Sequence, residues 1–233
     1  YSAKQIEILE GLDPVRHRPG MYIGGTDKRA MHHLVAELFD NSMDEAVAGY
    51  ANWIEITLID KNNVKISDNG RGIPIDPHPK FPNKSALEVI LTMLHAGGKF
   101  SGKVYETSGG LHGVGASVVN ALSVRLDAEI VRDKKLYKQS FSRGKPISEL
   151  TNIGSAPNRR GTSIQFSPDP EIFGNDCSFQ PSILYNMAKS KAYLFAGVEI
   201  RWKCCPEANT GNDASVPESE TICYPGGLAD YLE

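Results

Sequence analysis

Apolar and polar positions change period several times along the chain, and each change marks an element. Over residues 29–48, Met31, Leu34, Val35, Leu38, Phe39 and Ala46 recur at helical spacing, which predicts a long helix closed by Gly49. "WIEITLI" then alternates strictly and predicts a strand, with "NNVKISD" as its hairpin partner and "NGRGIP" as a turn. "SALEVILTMLHA" returns to helical spacing, "GGKFSGKVYETSGGLHG" reads as a long loop, and "VGASVVNAL" as the next helix. Three strands follow in hairpin-like order, "VRLDAEIVR", "KLYKQSFSRG" and "GTSIQFSP". A helix in "SILYNMAKSKAYLFA" and a strand in "VEIRWKC" come after them. At the front, "SAKQIEILEGL" predicts a short helix stopped by Gly11, and "DPVRHRPGMYIGGTD" a loop rich in proline and glycine. Near the end, "CPEANTGNDASVPESE" predicts an exposed loop. Strands that pair with each other, rather than alternating singly with helices, predict an α+β fold. Its sheet is mixed but mostly antiparallel and is covered by helices on one face.

Composition narrows the class. The 233 residues are 40% hydrophobic, enough for a substantial core, and the net charge of −3 gives no overall basic balance for nucleic acid. Cys177, Cys204, Cys205 and Cys223 match no metal-ligand spacing, which favours reduced thiols in a cytoplasmic protein. No run of about 18 apolar residues predicts a membrane span. A first residue other than methionine, and a last segment that reads as the start of a helix, suggest part of a longer polypeptide.

Chemistry enters on the long helix. Glu37, Asn41 and Glu45 are four residues apart and form one stripe beside the apolar face, flanked by Asp40 and Asp44. No lysine or arginine falls between residues 30 and 60. An acidic and amide stripe suits a divalent cation with oxygen ligands, or the polarising of a water, and equally a solvated acidic face. His33 stands one turn before Glu37, where it either orients that carboxylate or shares a metal with it. His32 beside it suits packing.

In "ISDNGRGIP", Asp68 leaves a strand into a turn containing Gly70 and Gly72, where a flat ligand can approach the backbone. The carboxylate of Asp68 can accept from an amino group on a heterocycle, and the planar fork of Arg71 can pair with Glu45. The glycine-dense residues 109–115 suit backbone N–H groups and a helix start meeting phosphates, and equally a flexible linker. This loop lacks the preceding strand of a dinucleotide fold and the GK[ST] ending of a P-loop, so neither class fits. Gly161 and Thr162 open a later strand, where the threonine hydroxyl can supplement Asp68.

Taken in order, E-x3-N on an acidic helix, D-x-G-x-G, a glycine-rich lid and G-T resemble the motif series of the GHKL ATPases. "GLDPVRHRPGMYIG", "DNSMDEAVAG", "DNGRGIP", "LHAGGKF" and "SGGLHGVGASVVNAL" are similar to the ATP-binding domain of bacterial type IIA topoisomerase B subunits over nearly the whole chain. Within that family, "GKFSGKVYETSGGLHGVG", "KAYLFAGVEI" and "GGLADYLE" resemble the topoisomerase IV branch more than the gyrase branch. The length of the "GLDPVRHRPGMYIG" match argues against the chaperone and mismatch-repair branches.

The resemblance implies a single GHKL (Bergerat) two-layer domain over residues 1–233, with ATP and Mg²⁺ as its ligands. It implies Glu37 as general base, His33 as its orienter and Asn41 as the metal ligand. Asp68 would recognise adenine, helped by Thr162. Arg71 paired with Glu45 would lie over the base, with Gly72 and Pro74 lining the pocket and Arg132 at its mouth. Lys99, Tyr105 and the amides of Leu111, His112, Gly113, Val114 and Gly115 would form the phosphate lid. Tyr1 and Ile6 match an arm that reaches into a second protomer on ATP-driven dimerisation. The implied partners are a topoisomerase A subunit, DNA and ATP-competitive inhibitors, in the bacterial cytoplasm at the nucleoid. The family's γ-phosphate lysine sits in a following transducer domain, so these residues alone are expected to bind ATP, hydrolyse it slowly and stay monomeric.

Overall fold

A computed structural model describes residues 9–97, 115–176, 178–209 and 216–232. Most of the expected first helix lies outside the described residues, and its last four, 9–12, are not helical; Tyr1, Ile6, Lys99, Tyr105, Leu111, His112, Gly113, Val114 and Cys177 also lie outside them.

Two short helices, α1 (Asp13–His17) and α2 (Gly20–Ile23), lead into the long α3 (Lys28–Val47). Asp27 caps α3 by accepting from the Ala30 N–H at 2.9 Å. The helix ends where Gly49 takes a positive φ of 79°. Its apolar face is buried at Met31, Leu34, Val35, Leu38 and Phe39, as the spacing predicts. The hairpin β1 (Trp53–Asp60) and β2 (Asn63–Asp68) follows, then a small ribbon of β3 (Pro77–His78) and β4 (Phe81–Ser85) that runs into α4 (Ala86–Thr92). After α5 (Gly115–Ala121) come β5 (Ser123–Arg132), β6 (Lys135–Ser142), β7 (Lys145–Pro146), β8 (Thr151–Ser155) and β9 (Gly161–Pro168). The chain closes with α6 (Pro170–Phe173), α7 (Pro181–Leu194), β10 (Glu199–Cys204), β11 (Ser219–Ile222) and α8 (Leu228–Leu232).

The main sheet has nine strands in the order β11-β10-β1-β2-β9-β5-β6-β7, with β8 also paired to β6. Among the described residues only β1 and β10 run parallel; the other pairs are antiparallel. The mixed, mostly antiparallel sheet is thus the one the hairpin order predicts. Alternation along β1 buries Ile54, Ile56 and Leu58, and along β2 it buries Val64, Ile66 and then Asp68. Helices α3, α5 and α7 pack on this sheet. The apolar core between the two layers includes Phe39, Phe141, Phe166 and Trp202.

Three local expectations are corrected, and four short strands are added to those the sequence predicts. "DPVRHRPGMYIGGTD" is two short helices rather than a loop, because each proline opens a helix instead of breaking one: Pro14 sits in the first turn of α1 and Pro19 caps α2. The helix in "SALEVILTMLHA" stops at Thr92, where Met93 turns extended. The polar segment after Cys205 is not simply exposed. Ala208 and Val216 are buried, Asn209 Nδ2 donates to the Val216 carbonyl at 2.8 Å, and β11 adds to the sheet edge. Finally, β3, β4, β7 and β8 carry no alternation to predict them; every residue of β8 is exposed.

Candidate functional site

The site is built where α3, the exit of β2 and the start of β9 converge. The stripe on α3 is real: Glu37, Asn41 and Glu45 are half-buried along the edge of the packed face. His33 Nε2 lies 3.2 Å from Glu37 Oε1, within reach to hold the carboxylate one turn above it. His32 does different work. It is buried, its Nδ1 meets the Lys28 carbonyl at 2.6 Å, and its Nε2 accepts from the Gln180 N–H at 2.9 Å. Burial holds its pKa below the ordinary value despite those two backbone hydrogen bonds. Of the two residues flanking the stripe, Asp40 pairs with Lys191 of α7, and Asp44 is buried.

Helix α5 meets this stripe at its first residue. A Cβ added at Gly115 would lie 3.0 Å from Glu37 Cδ, with the carboxylate oxygen closer still. Any side chain at this position would have to displace the Glu37 carboxylate from where it stands.

Asp68 forms the floor. It is 6% exposed, and its inward position follows from the parity of β2. Oδ1 accepts from the N–H groups of Gly70 at 2.9 Å and Thr162 at 3.3 Å, and Oδ2 accepts from the Ser42 hydroxyl at 2.9 Å. A carboxylate offers about four acceptor sites, so this arrangement leaves one on Oδ2 for an outside donor. Burial pushes the Asp68 carboxyl from 3.8 up to about 6, against those three hydrogen bonds and with the help of the Glu45 charge. The close approach of β9 depends on Gly161, at φ 115°, where a Cβ would collide with the Asp68 carbonyl and stand 2.9 Å from Asn69 Cα.

Glu45 and Arg71 form the predicted fork: Nη2 reaches Oε1 at 2.7 Å and Nε reaches Oε2 at 3.2 Å, while the Arg71 backbone N–H adds a third bond to Oε2 at 2.9 Å. The guanidinium lies 3.7 Å above the ring of Tyr50. Thr162 Oγ1 accepts from the Ile73 N–H at 3.2 Å, and Arg132 Nη1 donates to the Gly72 carbonyl at 2.9 Å. Pro74 follows on this turn, exposed.

The structure therefore gathers Glu37, His33, Asn41, Glu45, Asp68, Arg71, Gly72, Pro74, Gly115, Thr162 and Arg132 around one region. The remaining lid residues fall outside the described ones. Sequence reasoning missed Ser42, Gly161 as a contact to Asp68, and Tyr50. Ser42 had a signal: a serine set among the buried positions of α3 needs a polar partner in the core. Chemically, the region offers a carboxylate acceptor at its floor, a flat cation at one side, and a carboxylate paired with a histidine one turn from an asparagine. That set suits a heterocyclic amine with a phosphate-bearing tail and a water to be activated.

Comparison with known proteins gives the same reading. Residues 26–172 match the model of the family described as histidine kinase-, DNA gyrase B-, and HSP90-like ATPase. The B subunit of DNA topoisomerase 4 from Rickettsia bellii is 61% identical over 233 residues, covering 100% of this chain and 34% of that protein. The B subunit of DNA gyrase from Thermotoga maritima is 48% identical over 233 residues, covering 100% of this chain and 35% of that protein. Among solved structures, the 43K ATPase domain of Thermus thermophilus gyrase B, in complex with an aminocoumarin, superimposes with a TM-score of 0.80 at 40% identity, over 94% of this chain and 53% of that one. The chain spans about a third of the length of the curated relatives it matches.

Proposed function

Because the chain belongs to the histidine kinase-, DNA gyrase B- and HSP90-like ATPase family, we propose that residues 1–233 are the ATP-binding and ATP-hydrolysing domain of a type IIA topoisomerase B subunit of the topoisomerase IV kind. The observation that carries the nucleotide reading is the Asp68 floor, a buried carboxylate with three of its acceptor sites filled and one left. The higher identity to topoisomerase IV relatives, 61% against 48% for a gyrase relative, supports that branch.

In this reading Asp68 accepts from the exocyclic amine of adenine, and Thr162 holds the Ile73 end of the turn that carries the pocket wall. Arg71, fixed by Glu45, lies along the base, with Gly72, Pro74 and Arg132 at the pocket mouth. Lys99, Tyr105, Leu111, His112, Gly113, Val114 and Gly115 form the phosphate lid. Glu37 takes a proton from the attacking water, and His33 keeps its carboxylate aimed. The donor types on α3 fit Mg²⁺: Asn41 and Glu37, one turn apart on the half-buried stripe, are oxygen ligands of the kind this cation takes. When bound, the cation neutralises charge on the phosphates; Asn41 is the residue that would hold it.

In the whole protein, ATP binding closes two such protomers on each other through the arm carrying Tyr1 and Ile6. The A subunit cuts DNA, and nucleotide turnover resets the clamp. ATP-competitive inhibitors of the aminocoumarin kind take the same pocket. The 233 residues alone bind ATP and hydrolyse it slowly as a monomer, because the γ-phosphate cation of this family comes from a following domain. Calorimetry with ATP and a turnover assay on wild type, Asp68→Asn and Glu37→Gln test the assignment. Asp68→Asn should lose affinity, and Glu37→Gln should keep affinity and lose turnover. Lost binding with intact turnover per bound ATP in Glu37→Gln would overturn the base assignment.

A further inference from the structure

Arg16 lies inside "GLDPVRHRPGMYIG", yet its guanidinium is directed to the far end of α5. Nη1 donates to the Ala121 carbonyl at 2.7 Å and Nη2 to Asp169 Oδ2 at 2.9 Å. The last carbonyls of a helix lack partners further along it; here Val119 O accepts from the Ser123 hydroxyl at 2.6 Å and Asn120 O from Gly144 N–H at 3.0 Å. Just beyond the helix, Leu122 O accepts from Asp169 N–H at 2.9 Å and Ser123 O from Arg143 N–H at 2.8 Å. The Asp169 side chain is 0% exposed and also takes Arg143 Nε at 2.8 Å and the Glu171 N–H at 3.0 Å. Burial alone would raise its pKa, but the Glu171 N–H, Arg16 and Arg143 together hold it below the ordinary value. The result is a charged socket that fixes the C-terminal end of α5 against α1, the β6–β7 turn and the start of α6.

The other end of the same seven-residue helix is Gly115, which abuts Glu37. A helix this short is a stiff spacer, so a shift at one end is carried to the other. We propose that Arg16 is a positioning residue for ATP hydrolysis: it sets how far α5 advances onto Glu37, and so where that carboxylate stands. This rests on Glu37 being the base. The reach of one fork to both Ala121 O and Asp169 is what a lysine cannot reproduce.

The test is steady-state ATP turnover by the full-length polypeptide, with Arg16→Lys, Asp169→Asn and Glu37→Gln, and with Trp202→Phe on β10, toward the opposite edge of the sheet, as a control for general loss of stability. The expected result is a kcat about tenfold lower for Arg16→Lys with KM for ATP within about twofold, the size of effect that sub-ångström misplacement of a reacting group produces. Asp169→Asn should show a smaller loss of the same kind. In a Glu37→Gln background, Arg16→Lys should lower the residual rate no further, because the two changes remove one function. The inference is overturned if Trp202→Phe with an equal fall in Tm slows turnover as much. It is also overturned if Arg16→Lys acts through KM alone, or slows Glu37→Gln by the same factor as wild type. Full turnover in Glu37→Gln would remove the base assignment and this inference with it.

Discussion

Ser42 and Asp68, 26 positions apart in the chain, share a 2.9 Å hydrogen bond at the floor of the site, the hydroxyl donating to Oδ2. That bond, with the two N–H groups on Oδ1, fixes which part of the carboxylate is left for a ligand. Asp68→Asn keeps the shape and both backbone bonds to Oδ1. It turns the ligand-facing oxygen into an amide nitrogen that donates, facing another donor. Adenine-nucleotide affinity should fall at least about tenfold, the cost of one hydrogen bond to a charged group. Stability should hold or rise, since a buried charge is removed. Calorimetry and thermal melting on the same samples separate the two effects.

The same carboxyl gives opposite pH dependences to folding and binding. Its pKa is about 6 in the fold against 3.8 ordinarily, so the folded state binds the proton more tightly. Stability from this group is therefore greatest at low pH and declines as pH rises from about 4 to 6, by about 3 kcal/mol at most. Nucleotide binding needs the ionised acceptor, so affinity should improve over the same window. Asp169, whose pKa is lowered, works the other way on stability and loses its contribution as pH falls. The Asp68 share is thus isolated as the difference between wild type and Asp68→Asn, measured by melting and by titration at pH 5 and pH 7. A difference that stays flat across that interval would refute it.

Gly115→Ala sets helix propensity against packing. Alanine in a helix is favoured over glycine by about 1 kcal/mol, yet the new methyl would enter the Glu37 carboxylate. The side chain, half-exposed, can swing away at little cost, so Tm should change by only a few degrees. The displaced carboxylate no longer stands where the water must be met. Turnover should fall about tenfold or more, with ATP affinity within about threefold. Stopped-flow or coupled assays beside a binding isotherm check both halves.

Much of the site is legible in the sequence because its residues sit where periodicity is visible. Glu37, Asn41 and Glu45 follow from helical spacing on α3, and the alternation of β2 runs straight into Asp68. What stays hidden depends on elements brought together from far apart. Ser42 and Gly161 matter only because α3 and β9 flank β2, and Tyr50 only because Arg71 folds back over it. The fold shows the same division. Long amphipathic elements are readable, whereas β7, β8 and β11 are held by their neighbours on β6 and β10 rather than by a pattern of their own. The short α1 and α2 escape a sequence reading because proline signals a break and a helix start alike.

Glu45 and Arg71 carry the last prediction. Glu45 accepts three bonds from one residue, two from the guanidinium and one from the backbone, and its side chain is 13% exposed. Arg71→Lys keeps the charge but cannot span both oxygens while lying flat on Tyr50. Glu45→Gln keeps the shape and one good acceptor, but removes the carboxylate charge that faces the guanidinium. If the pair acts as one unit, either change alone should cost most of what both cost together. A double-mutant cycle should then give a coupling of about 1–2 kcal/mol in unfolding free energy. Because the fork is partly shielded, raising salt should weaken the coupling only modestly. The functional consequence follows from orientation: a guanidinium held flat gives a base a face to lie along, while a lysine gives a mobile point charge. Arg71→Lys should therefore raise the Kd for ATP several-fold and leave turnover of bound ATP near wild type. An equal loss in kcat would place Arg71 in the hydrolytic step instead.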